Sequence, residues 1–152
     1  MKFITKTQEE TINLAYSLTK FLTKGDCLLL QGDLAGGKTT FTKGVGKALN
    51  IQAVINSPTF NILKIYHGDY DLYHIDAYRL EGSEYDLGFD DFLEDGIMVV
   101  EWPEYFKDYL PDEYLILNFT YIDENTRAIE IEAKGERFEK ILKEFNDAYT
   151  MS

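Results

Sequence analysis

Gly32-Asp33-Leu34-Ala35-Gly36-Gly37-Lys38-Thr39 follows the apolar run Cys27-Leu28-Leu29-Leu30 and precedes a segment with helical potential. The stretch has the form G-x4-G-K-[ST] and reads as a phosphate-binding loop between a strand and a helix. Gly32 and Gly37 permit backbone conformations that side chains obstruct. Successive N–H groups then point inward at an anion, and the next helix offers its positive N-terminal end. In this reading Lys38 sits on the β- and γ-phosphates and the Thr39 hydroxyl on Mg²⁺. At average residue usage the pattern arises by accident in roughly one chain in two hundred of this length. The competing reading is an ordinary glycine-rich turn.

The 152 residues are 45% hydrophobic and 28% charged. That is enough chain for one domain with a substantial core and too little for two. The formal net charge of -12 argues against a basic face that grips nucleic acid directly, because such affinity comes from Lys and Arg releasing counterions. An acidic surface suits a basic protein partner, or simply keeps the chain soluble. The single cysteine, Cys27, excludes an internal disulfide and a multi-cysteine metal site, and its place within an apolar strand assigns it to the core. No basic-then-apolar leader opens the sequence and no apolar run approaches a membrane span, so the expected location is the cytoplasm, with no membrane partner.

Outward from the loop, Thr7-Gln8-Glu9-Glu10 has the form of a capping box. Ile12, Ala15, Leu18, Thr19 and Leu22 then recur at helical spacing, predicting a helix over about residues 8 to 24. Residues 27 to 31 form a short strand suited to a sheet covered on both faces. The helix after the loop turns Phe41, Val45, Ala48 and Leu49 inward, and Gly44 and Gly46 within it call for close packing against another element. Phe60 to Tyr66 and Tyr70 to Ile75 flank His67-Gly68-Asp69 as an antiparallel hairpin. Short helices are expected from Ser83 to Leu87 and from Asp90 to Leu93. Ile97 to Val100 reads as a buried strand ending in Glu101. Leu115 to Tyr121 and Ala128 to Glu132 read as strands around the turn at Asp123-Glu124-Asn125, and Glu136 to Ala148 as a closing helix. The fold class is α/β: one P-loop NTPase-like domain over residues 1–152, with a mixed central β-sheet flanked by helices.

Turnover on a phosphate loop requires an acid near the metal and a group that positions the attacking water or acceptor. Glu101 follows four apolar residues, so a buried strand delivers its carboxylate to the sheet edge where ligands bind in open α/β folds. It reads as a metal-holding or nucleophile-orienting acid, or as a solvated strand end. Asp76 also ends a strand, with Arg79 near enough to make it half of a structural ion pair instead. Ser57-Pro58-Thr59-Phe60 places Thr59 where nucleotide switches sense the γ-phosphate, or where a turn needs a hydroxyl. Trp102, the only tryptophan, packs by the site, docks a partner or fills core. His67 and His74 lie apart in the hairpin and make no metal-ligand pattern.

The loop with Thr40-Phe41, Ser57-Pro58-Thr59-Phe60, His74-Ile75-Asp76-Ala77-Tyr78-Arg79-Leu80 and Glu101-Trp102-Pro103 together resemble the bacterial TsaE family, formerly YjeE, in order and spacing over nearly the whole chain. The loop is shared by very many NTPases, whereas H-x-D-x-Y-R-L followed by E-W-P is close to diagnostic. The resemblance implies a small P-loop ATPase, binding ATP or ADP with Mg²⁺, that supports threonylcarbamoyl adenosine synthesis in tRNAs reading codons that begin with A. It implies TsaD and TsaB as partners, with tRNA reached only through the complex. Gly36, Gly37, Lys38, Thr39 and Thr40 are implied to contact phosphates within a loop that also includes Gly32 and Ala35. Thr39 and Glu101 are implied on the metal, Glu101 also as a catalytic acid, with Asp76 and Thr59 at active-site positions beside Lys38. Trp102 falls on the family's conspicuous tryptophan, and Thr7 and Arg127 on the base end of the pocket. The family usually reads G-A-G before the lysine, where this chain has Ala35-Gly36-Gly37. If the first of those glycines needs positive φ, Ala35 costs about 1 kcal/mol or more. Against this ATPase reading stand a small-molecule kinase, which usually carries an arginine-rich lid not seen here, and a nucleotide-gated binding module without turnover. A GTPase is disfavoured by the lack of an N-K-x-D motif.

Overall fold

Cys27 to Leu30 offer no polar side chain, and all four are buried. The computed structural model describes residues 1–32, 37–56, 63–76, 95–101 and 111–150. Seven strands make one sheet: β1 (Lys2–Thr5), β2 (Cys27–Gly32), β3 (Leu63–Tyr66), β4 (Asp71–Asp76), β5 (Gly96–Glu101), β6 (Tyr114–Tyr121) and β7 (Arg127–Lys134), in spatial order β1-β7-β6-β2-β5-β4-β3. The inner strands β6, β2, β5 and β4 run parallel, while β1, β7 and β3 join antiparallel at the two sides. The expected mixed sheet is therefore a parallel quartet with antiparallel flanks. Parallel strands buried on both faces read as unbroken apolar runs, as β2 and β5 do.

Three helices stand among the described residues: α1 (Gln8–Thr19), α2 (Lys38–Ala48) and α3 (Glu136–Thr150). Their buried faces meet one face of the sheet in a single core, with Leu14 and Leu18 of α1, Phe41 and Val45 of α2, and Phe138 and Phe145 of α3 against Leu28, Leu30, Val99 and Leu117. The strand register places Leu28, Val99 and His74 in one row and Leu30, Glu101 and Asp76 in the next, all on that helical face. Cys27, Leu29, Met98, Val100, Tyr73 and Ile75 occupy the other face, also buried. Burial, and then the neighbouring Asp26 carboxylate, push the Cys27 thiol far above its ordinary range, as befits a core residue.

The capping box forms at α1. Thr7 Oγ1 accepts from the Glu10 N–H at 3.0 Å, while Glu10 Oε2 reaches back to the Lys6 N–H at 2.7 Å. The helix ends earlier than the spacing predicts, at Thr19 instead of about residue 24. Phe21 and Leu22 bond to carbonyls three residues back, a tighter turn that keeps Leu22 buried although the α-helix has stopped. Strand β1 is absent from the sequence reading: four residues are too short a period to detect, and pairing with β7 together with Phe3 against Phe145 and Tyr149 makes it a strand. Hairpin β3–β4 stands at Leu63–Tyr66 and Asp71–Asp76. Residues 60–62 and the expected short helices from Ser83 and from Asp90 lie outside the described residues. Asp26, buried just before β2, accepts a two-pronged bond from Arg137 at the start of α3 and a third from the Thr23 N–H at 2.8 Å. That bond, more than the Coulomb attraction, raises the Arg137 guanidinium above its ordinary value.

The packing expected of Gly44 is present. A Cβ there would lie 2.4 Å from the Ile12 carbonyl oxygen and 2.6 Å from the Ala15 Cβ, so α1 and α2 touch backbone to backbone. In an exposed helix Gly→Ala stabilises by about 1 kcal/mol. Here Gly44→Ala is expected to destabilise by about 1–3 kcal/mol through overpacking, read from the urea unfolding midpoint.

Candidate functional site

Strand β2 ends at Gly32 with φ of +125°, and a Cβ at that position would fall 2.1 Å from the Phe119 carbonyl oxygen on β6. Only glycine lets the chain leave the sheet this close to its neighbour. Helix α2 opens at Lys38 behind Gly37, whose φ of +99° makes it a left-handed N-cap and which brings no side chain to cap the first turn. The N–H groups of that turn are thus not capped by the residue that begins the helix, and the helix end carries partial positive charge. Lys38 is only 4% exposed, and its Nζ donates to the Gly32 carbonyl oxygen at 3.1 Å. The ammonium therefore lies folded back over the junction between strand and loop. Thr39 and Thr40 follow on the first turn, half-buried.

The same helix end borders a cleft whose walls include Thr7, Thr11, Gly37, Thr40, Asn125 and Arg127. Residues distant in sequence meet here because α1 lies beside α2 and the β6–β7 turn comes up to Gly37. The Thr7 hydroxyl is held by its capping bond. The Arg127 stem passes Gly37, with Cγ 3.6 Å from where a Cβ would sit, and its guanidinium lies 4.6 Å from the Tyr121 ring centroid. Arg127 Nη1 donates to the Asp123 and Thr126 carbonyls, whereas its Nε is buried with no hydrogen-bond partner. Asp123 organises this turn by accepting from the Asn125 and Thr126 N–H groups at 3.0 and 2.8 Å. The Asn125 bond, followed by those from Thr126, holds its carboxyl below the usual range.

A third group comes from the sheet edge. Glu101 ends β5 directly beside Leu30 of β2 and Asp76 of β4, so the carboxylates of both candidate acids and the phosphate-loop strand reach one carboxyl-terminal edge. Glu101 is 5% exposed and Asp76 half-buried. Glu101 Oε2 accepts from His74 Nε2 at 3.0 Å. Metal-ligand spacing does not single out His74. The usable signal was the period of two, which puts His74 and Asp76 on one face of β4, together with a strand ending in an acid at Glu101. Ala35, Gly36, Thr59, Arg79 and Trp102 lie outside the described residues.

An uncapped helix end with a buried ammonium suits a phosphate chain, the orphaned Arg127 Nε beside the cleft suits an acceptor at its far end, and a carboxylate with a hydroxyl suits a hard divalent cation. Gly32→Ala should lower stability by about 2–4 kcal/mol, combining a clash with the Phe119 backbone and a positive φ. Urea unfolding of the ligand-free chain measures it, and a loss below 1 kcal/mol would mean that β2 and β6 part easily at this point.

Residues 5–129 match the sequence model of the family described as threonylcarbamoyl adenosine biosynthesis protein TsaE. The tRNA threonylcarbamoyladenosine biosynthesis protein TsaE of Bacillus subtilis is 40% identical over 148 residues, covering 96% of this chain and 94% of the relative. Its namesake in a Nostoc species is 42% identical over 131 residues, covering 82% of this chain and 80% of the relative. The crystal structure of Bacillus subtilis YdiB superposes with a TM-score of 0.82 at 34% identity, across 97% of this chain and 95% of that one. A strand–loop–helix unit with its flanking acids, carried on a sheet of matching architecture and on a sequence matched across most of its length, places this chain in the TsaE family of tRNA threonylcarbamoyladenosine biosynthesis.

Proposed function

We propose that this protein is a cytoplasmic P-loop ATPase that binds and hydrolyses Mg-ATP in complex with TsaD and TsaB, in support of threonylcarbamoyl adenosine formation on tRNAs reading codons that begin with A. The observation that carries the reading is Lys38, an ammonium buried at an uncapped helix N-terminus and held by the carbonyl of Gly32, with Glu101 on the adjacent parallel strand. A buried ammonium is costly unless its charge is compensated, and a phosphate group would supply that compensation. Lys38 and the N–H groups of the first turn of α2 would hold the phosphates. Thr39 and Glu101 would hold Mg²⁺, which when bound neutralises phosphate charge, while Thr7 and Arg127 would line the base end. Glu101 also serves to orient the attacking water, with Asp76 beside it and Thr59 as the residue that senses the γ-phosphate. No helix among the described residues is long and apolar enough to cross a membrane. With a net charge of -12, contact with tRNA is assigned to the partners.

Phosphate release from Mg-ATP, measured for the chain alone and with purified TsaB and TsaD, tests this directly. Strong stimulation by the pair is the expected result. Fast turnover indifferent to the pair would indicate a free-standing NTPase or kinase, and nucleotide-dependent partner binding without turnover would indicate a gated module. Lys38→Ala should weaken ATP binding at least tenfold and abolish turnover, since it removes the charge assigned to the phosphates; near-normal hydrolysis would remove the loop from the mechanism. Glu101→Ala should reduce hydrolysis more than ATP binding, and equal losses would recast the residue as ground-state support for the metal.

A further inference from the structure

His74 is wholly buried in β4, and only one of its two ring nitrogens has a partner: Nε2 lies 3.0 Å from Glu101 Oε2, while Nδ1 takes no hydrogen bond. A carboxylate only accepts, so Nε2 carries the hydrogen of this bond. The register makes the contact diagonal. His74 is paired with Val99 and Asp76 with Glu101, so the imidazole reaches one row forward along the sheet to the last residue of β5. An imidazole on the buried face that carries Leu72 and Val99 gains nothing that a leucine would not supply, apart from this one directed bond. Among the described residues nothing else bonds the Glu101 carboxylate, leaving its other oxygen uncommitted. A glutamate side chain has three rotatable bonds, and one oxygen tied from below fixes where the second is presented.

From this geometry we infer that His74 is a positioning residue for Glu101: it holds one carboxylate oxygen inside the sheet so that the other faces the phosphate-loop side of the carboxyl-terminal edge. The inference rests on the proposed ATPase reading for its kinetic consequence, but its structural content does not. His74→Leu keeps the volume and removes the bond. His74→Gln retains an N–H donor at nearly the reach of Nε2, and His74→Asn carries one that falls short.

With TsaD and TsaB present, His74→Leu and His74→Asn should lower kcat about 10- to 100-fold while the KM for ATP stays within about threefold, and His74→Gln should return kcat to within about threefold of the parent chain. In a Glu101→Ala background, His74→Leu should cost less than about twofold more. Equal loss in both backgrounds, or Gln as poor as Leu, would overturn the inference and leave His74 a merely structural residue. Ligand-free crystal structures of the parent chain and His74→Leu give a reading independent of turnover. The Glu101 carboxylate should leave its position in the variant, and an unmoved carboxylate would overturn the proposal. If the parent chain releases no more phosphate than Lys38→Ala, the ATPase reading falls, and the crystal comparison alone decides whether His74 positions Glu101.

Discussion

Strand β2 is buried on both faces and hydrogen-bonded on both edges, which leaves no place along it for a polar side chain until it ends. The same holds for β5, from Gly96 to Glu101. Because β6, β2, β5 and β4 run parallel, their first opportunities for polarity fall along one side of the sheet: Gln31 and Gly32, Glu101, Asp76, and Asn118, which accepts from the Gln31 amide. The position of the candidate site follows from this arrangement before any particular chemistry is considered. The antiparallel strand β7 starts on that same side, where Arg127 lies opposite Tyr121 at the end of β6.

Concentrating polar groups at the rim of a core creates an electrostatic problem that the local contacts solve one at a time. Lys38 and Glu101 are each almost fully buried, and neither charge is tolerable there without a partner. The Gly32 carbonyl answers the first and the His74 imidazole the second. The second solution is incomplete among the described residues: a carboxylate has two oxygens and His74 engages one, so Glu101 keeps an acceptor for whatever enters the site. Arg127 shows the same incompleteness, with two carbonyls on Nη1 and nothing on Nε.

Legibility in the sequence tracked the range of the forces involved. The capping box at Thr7, the inward stripe of α2, the hairpin and the strand ending in Glu101 are set by neighbours within a few residues, and all stand where the pattern put them. Strand β1 depends on β7 and α3, which no local window contains, while a tighter turn keeps Leu22 buried and so prolongs the apolar spacing past the end of α1. At the site, the loop and the two acids were legible as motifs. The gathering of Thr7, Thr40 and Arg127 around one cleft was available only from resemblance, because more than a hundred residues separate its ends. His74 was missed for a different reason. Its role lies in one hydrogen bond across to a neighbouring strand, and a histidine on an apolar face looks alike whether it is packed or employed.

The charge of the whole molecule and the charge of the site point in opposite directions, and distance resolves the conflict. A chain with a net charge of -12 repels anions in bulk, but at physiological ionic strength exposed charges farther than about 8 Å are largely screened. Lys38 and the N-terminus of α2 would act on a bound anion from within a few ångströms and from a partly desolvated position, where screening is weak and the effective dielectric low. Among the described residues at this edge Glu101 is a buried acidic group, and its bond to His74 ties one of its oxygens back into the sheet. An acidic surface would therefore not prevent a buried cationic group from meeting the anion proposed for it. Burial separates the two in one small domain, with Lys38 4% exposed in a chain of net charge -12.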